Sequence, residues 1–346
     1  MGKVYAPILI PTLCRYKHFI RLIESLKKNS YAKYTDVYIG LDYPASENHK
    51  YGYDKICEYL ENDFSEFASF NIVRRKENLG SAKNMSLLRN YVLSKYDRFI
   101  RTDDDAEFSP NFLEYMNVCL DKFEQDPNVV AITGYTYPIQ WKVASDSTVF
   151  KENFIFPMWG TGFWKNKLSS VMEFIEDGDL FKKAESIIDS SRWENMIETA
   201  KCEYIELCLS PDFKETLAAK FSDISMNMYL AVNDKYIIVP TLSKVRNWGF
   251  DGSGEYCKKG QSSYIKSYNA YNYPYHMQKI DENLNFLLKL DTLNAVRHNK
   301  IIMNKFDVLP WRRHFKAYIK LLLFRMLGRE YMFKFLRLFR RQKYCL

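Results

Sequence analysis

Three consecutive aspartates, Asp103, Asp104 and Asp105 in the stretch RTDDDAEFSPNFLEY, are the residues whose type and spacing first suggest chemistry. Like charges side by side repel, so a chain keeps them together in solvent, at a helix N-terminus or around a cation. At a strand end, alternate carboxylates point the same way, and Asp103 and Asp105 could share a hard divalent cation. Mg2+ or Mn2+ keeps several waters and takes one or two carboxylates plus substrate phosphates. The competing reading is a solvated acidic turn ahead of a helix starting at Ser109-Pro110, a capping hydroxyl followed by proline at the first helical position. A short apolar run before the triplet and a helical pattern after it favour the cation.

The elements that would position these carboxylates are legible in the first 140 residues. Strand-like runs (VYAPILIPT, DVYIGL, FNIVRR, RFIRT, VVAITGY) alternate with helical patterns near His18–Lys28, His49–Glu61, Ser81–Ser94 and Pro110–Phe123. In the last of these, Phe112, Tyr115, Met116, Cys119, Leu120 and Phe123 recur at helical spacing. Such alternation predicts an α/β fold with a mostly parallel sheet covered by helices. Ligands of these sheets bind beyond the carboxyl ends of the strands, where Asp42 and the aspartate triplet both fall. Further on, NFIFPMWGTGFWKNKL reads as a turn-dense wall and Gly178–Leu230 as helical. KYIIVP then reads as a strand, VRNWGFDGSGEYC as a glycine-rich loop and Asp281–Lys305 as helical.

Composition narrows the remaining classes. The 346 residues are 47% hydrophobic and 27% charged, as in a folded soluble protein, and include 26 Tyr and 24 Phe. Tyrosine also suits surfaces that meet sugars. Cys14, Cys57, Cys119, Cys202, Cys208, Cys257 and Cys345 are scattered without a CxxC pair, which predicts reduced thiols in a cytosolic setting. MGKVYAPILIPTLCRY is too short in its apolar part and too proline-broken for a signal peptide, and no apolar run reaches the length of about 18 residues expected of a membrane span. No GxGxxG follows the first strand, no GxxxxGK[ST] occurs, and DGSG is not a GxSxG elbow. His18, His49, His276, His298 and His314 lack zinc spacing and read as surface or packing residues.

The net charge of +8 is concentrated at the end of the chain: from Trp311 onward eleven Lys/Arg face one acid, Glu330. Phe315, Tyr318, Ile319, Leu322 and Leu323 lie between the basic positions, and Gly328 is a candidate break between two helices. Basic, apolar and aromatic together suit an anionic membrane surface. The alternatives are a helix packed on the body with basic ends reaching water and a nucleic-acid stripe. The leucine and aromatic content exceeds what phosphate contacts require, so no nucleic acid is expected.

The stretches PILIPTLCRYKHFIRLIESL, YIGLDYPAS, ENLGSAKNMSLL, RTDDDAEFSPNFLEY and NFIFPMWGTGFW resemble, in this order, the GT-A nucleotide-sugar glycosyltransferases. The likeness is to inverting family 2 and N-acetylglucosaminyltransferase I-like bacterial enzymes, over roughly residues 5–260. It implies a Rossmann-like GT-A fold, a UDP-sugar donor, Mn2+ or Mg2+, and metal-assisted in-line transfer with a carboxylate base. Placed by motif, Pro11, Thr12 and Arg15 would line the nucleotide, Asp42 would meet the uracil or ribose, and Asn78, Gly80 and Lys83 would lie near the donor phosphate or sugar. Asp103 and Asp105 would hold the metal, with Asp105 in direct contact and Asp104 turned towards the donor sugar. Trp159, Gly160, Thr161 and Gly162 would border the acceptor. Asp223, before an apolar periodic helix, would be the general base. The family often has a paired acid there, where this chain has Ser222-Asp223, so a helix N-terminal charge is the competing role and Asp212 and Glu215 are fallbacks.

The organisation expected is a catalytic domain over 1–260 (a nucleotide-binding half, 1–140, and an acceptor-side half, 141–260), a helical connector over 261–310 and a basic membrane-associating tail over 311–346. With family habit, the tail suggests a lipid-linked glycan acceptor in bacterial surface polysaccharide synthesis, on the cytoplasmic face of the cell membrane. Two alternatives remain open at this point, a sugar-nucleotide nucleotidyltransferase and a non-catalytic, membrane-tethered carbohydrate-binding protein. PTLCRYKHF lacks the glycine-rich loop of the first, and the acids are retained against the second.

Overall fold

A computed structural model describes residues 4–153, 155–176, 185–188, 190–209, 221–254, 277–306 and 311–341. The first half runs β1 (Ile8–Thr12), α1 (Tyr16–Lys27), β2 (Asp36–Leu41), α2 (Glu47–Tyr59), β3 (Ser69–Arg74), α3 (Ser81–Leu93), β4 (Arg98–Arg101), β5 (Ala106–Phe108), α4 (Phe112–Phe123) and β6 (Val129–Thr133). There follow β7 (Val149–Glu152), β8 (Thr161–Trp164), α5 (Lys165–Glu176), α6 (Ser191–Asn195), α7 (Glu198–Cys208), α8 (Asp223–Asn233), β9 (Tyr236–Pro240), β10 (Val245–Asn247), α9 (Val296–Phe306) and α10 (Trp311–Arg341).

Residue pattern explains the layers. In β1, Ile8 and Ile10 enter one core and Leu9 the other, so the strand is buried on both faces. In α1, Phe19, Leu22, Ile23 and Leu26 form the helical stripe that covers the Ile8/Ile10 face, together with α2 and α4. The opposite core is built from α3, α5, α7 and α8. Eight strands form one sheet in the order β3-β2-β1-β4-β8-β6-β9-β7. Strands β3, β2, β1 and β4 are parallel, β8 runs antiparallel between β4 and β6, and β7 runs antiparallel to β9. This is the Rossmann-like, mostly parallel sheet flanked by helices that the sequence predicts, with basic helix at the C-terminus. The two expected halves share this one sheet. Strands β5 and β10 form a separate antiparallel ribbon.

Two local expectations are corrected and a third is met. The fourth helix begins at Phe112, two residues after Pro110, because the Ser109 hydroxyl donates to Asn111 Oδ1 (3.0 Å) and caps nothing. Asp281–Lys305 is helical only from Val296. The preceding residues form a strap: Asp281 is bound by Asn111 Nδ2 (3.0 Å) and by Lys244, and Leu290 bridges Val149 at the sheet edge. Backbone groups bonded sideways in this way cannot form helix. Finally, α10 breaks at Gly328, which takes φ 72°, a region glycine enters without Cβ cost. The part before the break packs on α7 through buried Ala317 and Leu321, Arg313 to Glu206 (2.9 Å) and the Tyr318 hydroxyl to Glu198 (3.0 Å). Among the described residues no helix is long and apolar enough to cross a membrane.

Candidate active site

Strand β4 ends at Arg101, and Asp104 and Asp105 lie in the turn that leads into β5. A turn abolishes the period-2 alternation expected of an extended triplet. Asp104 and Asp105 therefore both reach Arg15 of the β1–α1 turn, whereas Asp103 reaches Arg101. Asp104 accepts a hydrogen bond from Thr12 Oγ1 (2.9 Å) and pairs with Arg15, so it is tied to the chain rather than free for a sugar. Arg15 also reaches Asp105 (2.9 Å). Burial lowers the tendency of this guanidinium to stay charged, but the two carboxylates outweigh it and hold Arg15 firmly protonated. Asp103 contacts Arg101 Nη2 (3.3 Å).

Asp105 is covered by the glycine-rich loop after β10. The Trp248 amide donates to the Asp105 carbonyl (2.9 Å), and a Cβ on Gly249 would lie 2.1 Å from Asp105 Oδ2, so only glycine permits this approach. The loop is pinned by His18 Nε2 to Asp251 (2.9 Å), by Arg21 stacked 3.9 Å from the Trp248 ring, and by Glu107, which accepts from Trp248 Nε1 (2.7 Å) and Arg246 (3.0 Å). Under this cover, Asp105 Oδ1 is buried without a hydrogen-bond partner. Burial pushes the Asp105 carboxyl up to about 7, against the pull of Arg15 and with the help of Asp103 and Asp104.

The other donor-side positions lie along the same strand ends. Asp42 is buried, and its Oδ1 accepts the amides of Tyr43 and Leu79 (both 2.9 Å), while Asn78 Nδ2 donates to the Tyr43 carbonyl (2.6 Å). Asp42 and Asn78 thus hold the 78–80 segment against the end of β2. Gly80, with φ 74°, turns that segment into α3, whose first turn carries exposed Lys83. Pro11 is half-buried in β1 opposite Gly40.

Asp223 opens α8. Ser222 caps that helix in a box with Ser225: the Ser225 amide donates to Ser222 Oγ (3.4 Å) and the Ser222 amide to Ser225 Oγ (2.8 Å). The departure from a paired acid at Ser222 thus has a structural use. Burial pushes the Asp223 carboxyl up to about 6, opposed by Arg101 and assisted by Asp103. Arg101 therefore contacts Asp103 and also bears on the charge of Asp223, a role that sequence reading missed. Asp212 and Glu215 lie outside the described residues.

The expected acceptor wall shrinks to one side chain. Gly160, Thr161 and Gly162 are buried at the start of β8, where Thr161 pairs with both Arg101 and Thr133, so they are sheet interior. Trp159 remains at the surface, edge-on to Tyr135 (4.6 Å) and Phe250 (5.7 Å), the latter in the loop that covers Asp105.

Among the described residues no three His, Cys, Asp or Glu side chains converge as a ready metal cage. Mg2+ and Mn2+ do not require one, since water and substrate phosphates complete their shells. A buried, unpartnered carboxylate oxygen on Asp105 with two further carboxylates adjacent fits such an ion.

No family model matches the sequence, and no curated protein matches it. Similar solved structures include the mannosyltransferase PcManGT from Pyrobaculum calidifontis in complex with GDP-Man and Mn2+, at 15% identity and TM-score 0.36, covering 49% of this chain and 47% of that one. S. aureus TarS 1-349 is similar at 15% identity and TM-score 0.34, covering 48% of each chain. Its complex with UDP-GlcNAc has 16% identity and TM-score 0.31, covering 42% of this chain and 40% of that one. The chain spans less than half the length of each.

Proposed function

We propose that the chain is an inverting, metal-assisted glycosyltransferase that moves a sugar from a UDP-sugar to a glycan acceptor. The observation that carries this reading is the covered acidic turn at the end of β4, with an unpartnered oxygen on Asp105 and with Asp223 close enough to feel the charges of Arg101 and Asp103. UDP as the nucleotide rests on the resemblance of the first-strand, Asp42 and Asn78–Lys83 segments.

In the proposed reaction Asp223 takes the proton of the acceptor hydroxyl. The oxygen attacks the anomeric carbon in line, and the bond from that carbon to the diphosphate oxygen breaks with inversion. Asp105, with Asp103 beside it, would hold Mn2+ or Mg2+, which when bound neutralises the leaving diphosphate. Arg101 holds Asp103 and lends its charge to Asp223, while Arg15 and Thr12 fix Asp104. Trp159 offers the flat surface on which a sugar ring stacks.

The test is calorimetry with UDP and Mn2+ on the wild type and Asp105→Ala. The wild type should bind, and the variant should lose about tenfold or more in affinity, roughly 1.4 kcal/mol. Equal affinity at saturating Mn2+ would count decisively against the metal-diphosphate site.

The lipid-linked acceptor and the anionic membrane partner also belong to this proposal. Trp311, Phe315, Ile319, Leu322 and Met326 form one stripe on the face of α10 turned away from the body, with Trp311 70% and Met326 71% exposed. Exposed Arg312, Lys316 and Arg325 flank it. Such a face suits the inner leaflet, next to a surface polysaccharide being built on its lipid carrier. Replacing Trp311, Phe315 and Leu322 by Ser leaves buried Ala317 and Leu321 in place. This triple variant should lose sedimentation with phosphatidylglycerol vesicles at low salt, and equal partitioning would remove the membrane from the proposal.

A further inference from the structure

Among the described residues, one buried cation near the acidic cluster has no acid to answer it. Arg89, on α3, is 9% exposed, and among the described residues it makes a single hydrogen bond, from Nη2 to Ser86 Oγ (3.3 Å). Among the described residues no carboxylate pairs with it. Its guanidinium lies 5.5 Å from the Phe221 ring, directly ahead of Ser222 and Asp223. Burial, and then the charge of Arg101, push Arg89 below its ordinary value. Arg101 is itself incompletely satisfied: Nη2 meets Asp103 (3.3 Å), Nη1 abuts the Met158 sulfur, and Nε is buried without a partner.

Among the described residues the two neighbouring guanidinium groups thus contact one carboxylate, Asp103, while Asp223 acts on Arg101 through its charge without a hydrogen bond. A guanidinium keeps its proton in almost any surroundings, so it cannot escape burial by neutralising. Leaving such a charge unpaired costs stability, and a cost of this kind is retained where a ligand supplies the missing countercharge. The planar fork of arginine matches carboxylate and phosphate oxygens in bidentate fashion. The N-terminus of α8, which follows Phe221, adds a favourable dipole for the same sign of charge.

We infer that Arg89 and Arg101 form a subsite for an oxyanion, a carboxylate or phosphate carried by the sugar substrate that enters beside Asp223. That the bearer is a sugar rests on the proposed transfer reaction, whereas the anion site stands on the two arginines alone. The anion arrives either on the donor, as a uronic acid, or on the acceptor, as a uronate or phosphodiester. Arg15 already serves Asp104 and Asp105, so the second cationic pair is not needed to neutralise them.

The experiment compares the full wild-type chain with Arg89→Met, which keeps length and removes charge, and with Arg89→Lys. Inorganic phosphate and glucuronate, added without nucleotide, should bind the wild type by calorimetry and raise its Tm. Arg89→Met should lose that binding by about tenfold or more, and Arg89→Lys should retain part of it. UDP affinity in Mn2+ should change by less than about twofold in both variants, and Arg89→Met without anion should melt no lower than wild type. A wild-type preference for UDP-glucuronate over UDP-glucose that vanishes in Arg89→Met supports the subsite and places the anion on the donor. Glucuronate or glycerol phosphate bound to the UDP-loaded wild type supports it and places the anion on the acceptor. Equal or absent anion binding in wild type and Arg89→Met overturns the inference. So does a matching loss of UDP affinity, which gives Arg89 to the diphosphate, or a lower Tm without anion, which makes Arg89 structural. Failure of the transfer reading would appear instead as no UDP binding by the wild type, with the phosphate and glucuronate arms still readable.

Discussion

Asp223→Asn is expected to lower kcat by about 10²–10⁴-fold while leaving UDP and Mn2+ affinity within about twofold of wild type. The amide keeps the shape and the helix start, and Ser222 still caps α8, so the loss isolates the proton acceptor. The pH profile supplies the second signature. A base must be ionised, and burial holds the Asp223 carboxyl up to about 6. In the wild type kcat/KM should therefore rise with pH through about 6 and level off above it, and in Asp223→Asn that rise should vanish. Stability carries the opposite slope. Because the folded chain holds this proton more tightly than the unfolded one, the contribution is present below the unfolded carboxyl range and is lost as pH climbs through about 6. Asp223→Asn should flatten that decline. A variant with kcat within about threefold of wild type would move the base elsewhere.

Asp281→Ala should destabilise the protein by about 3–5 kcal/mol, the usual result of removing one partner of a buried ion pair. Lys244 is 4% exposed at its side chain, with Asp281 as its ion-pair partner and Asn111 Oδ1 as a neutral one (3.2 Å). Burial pushes this amine down and Asp281 opposes the shift, so without Asp281 the lysine is left charged in an apolar surround or gives up its proton. Urea unfolding measures the loss directly. The double substitution Lys244→Met with Asp281→Leu should recover most of it, since a packed apolar pair replaces a buried salt bridge at little cost. If Asp281→Ala unfolds within about 1 kcal/mol of wild type, the strap is not fastened at this point.

The regular elements were legible because each carries its own periodicity. In α4 the buried Phe112, Tyr115, Met116, Cys119, Leu120 and Phe123 can be read from spacing, though buried Leu113 and Asn117 cannot, and β1, β2 and β4 announce themselves as apolar runs ending at Thr12, Asp42 and the aspartates. What could not be read is whatever depends on residues distant in sequence. The start of α4 was misplaced because the Ser109 hydroxyl and the Asn111 side chain are committed to Asn111 and Asp281 respectively. The Asp281 strap reads as helix in sequence because nothing local shows that Lys244 waits for it. Thr161 and Gly162 looked like surface because glycine-rich aromatic segments usually are, yet an antiparallel insertion between β4 and β6 buries them. At the candidate site, residue types nominate Asp103, Asp105 and Asp223, but that Arg15 joins Asp104 and Asp105 depends on a turn that no local pattern shows. Arg89 and Arg101 left no local trace, since a buried arginine looks like any other in sequence.

The ribbon of β5 with β10 has a bearing on the order in which this chain becomes itself. Its contacts join Glu107 to Arg246, 139 residues apart, whereas β1 to β4 are linked through short helical crossovers. Closing a longer loop costs more entropy, and distant pairings tend to form after local ones. As the chain leaves the ribosome, the aspartate turn emerges and can fold long before Gly249 exists to lie against it. For that interval Asp105 is hydrated and ordinary. The burial that raises its carboxyl belongs to the closed fold, and Gly249, which lies against it, is among the last of its neighbours to be made.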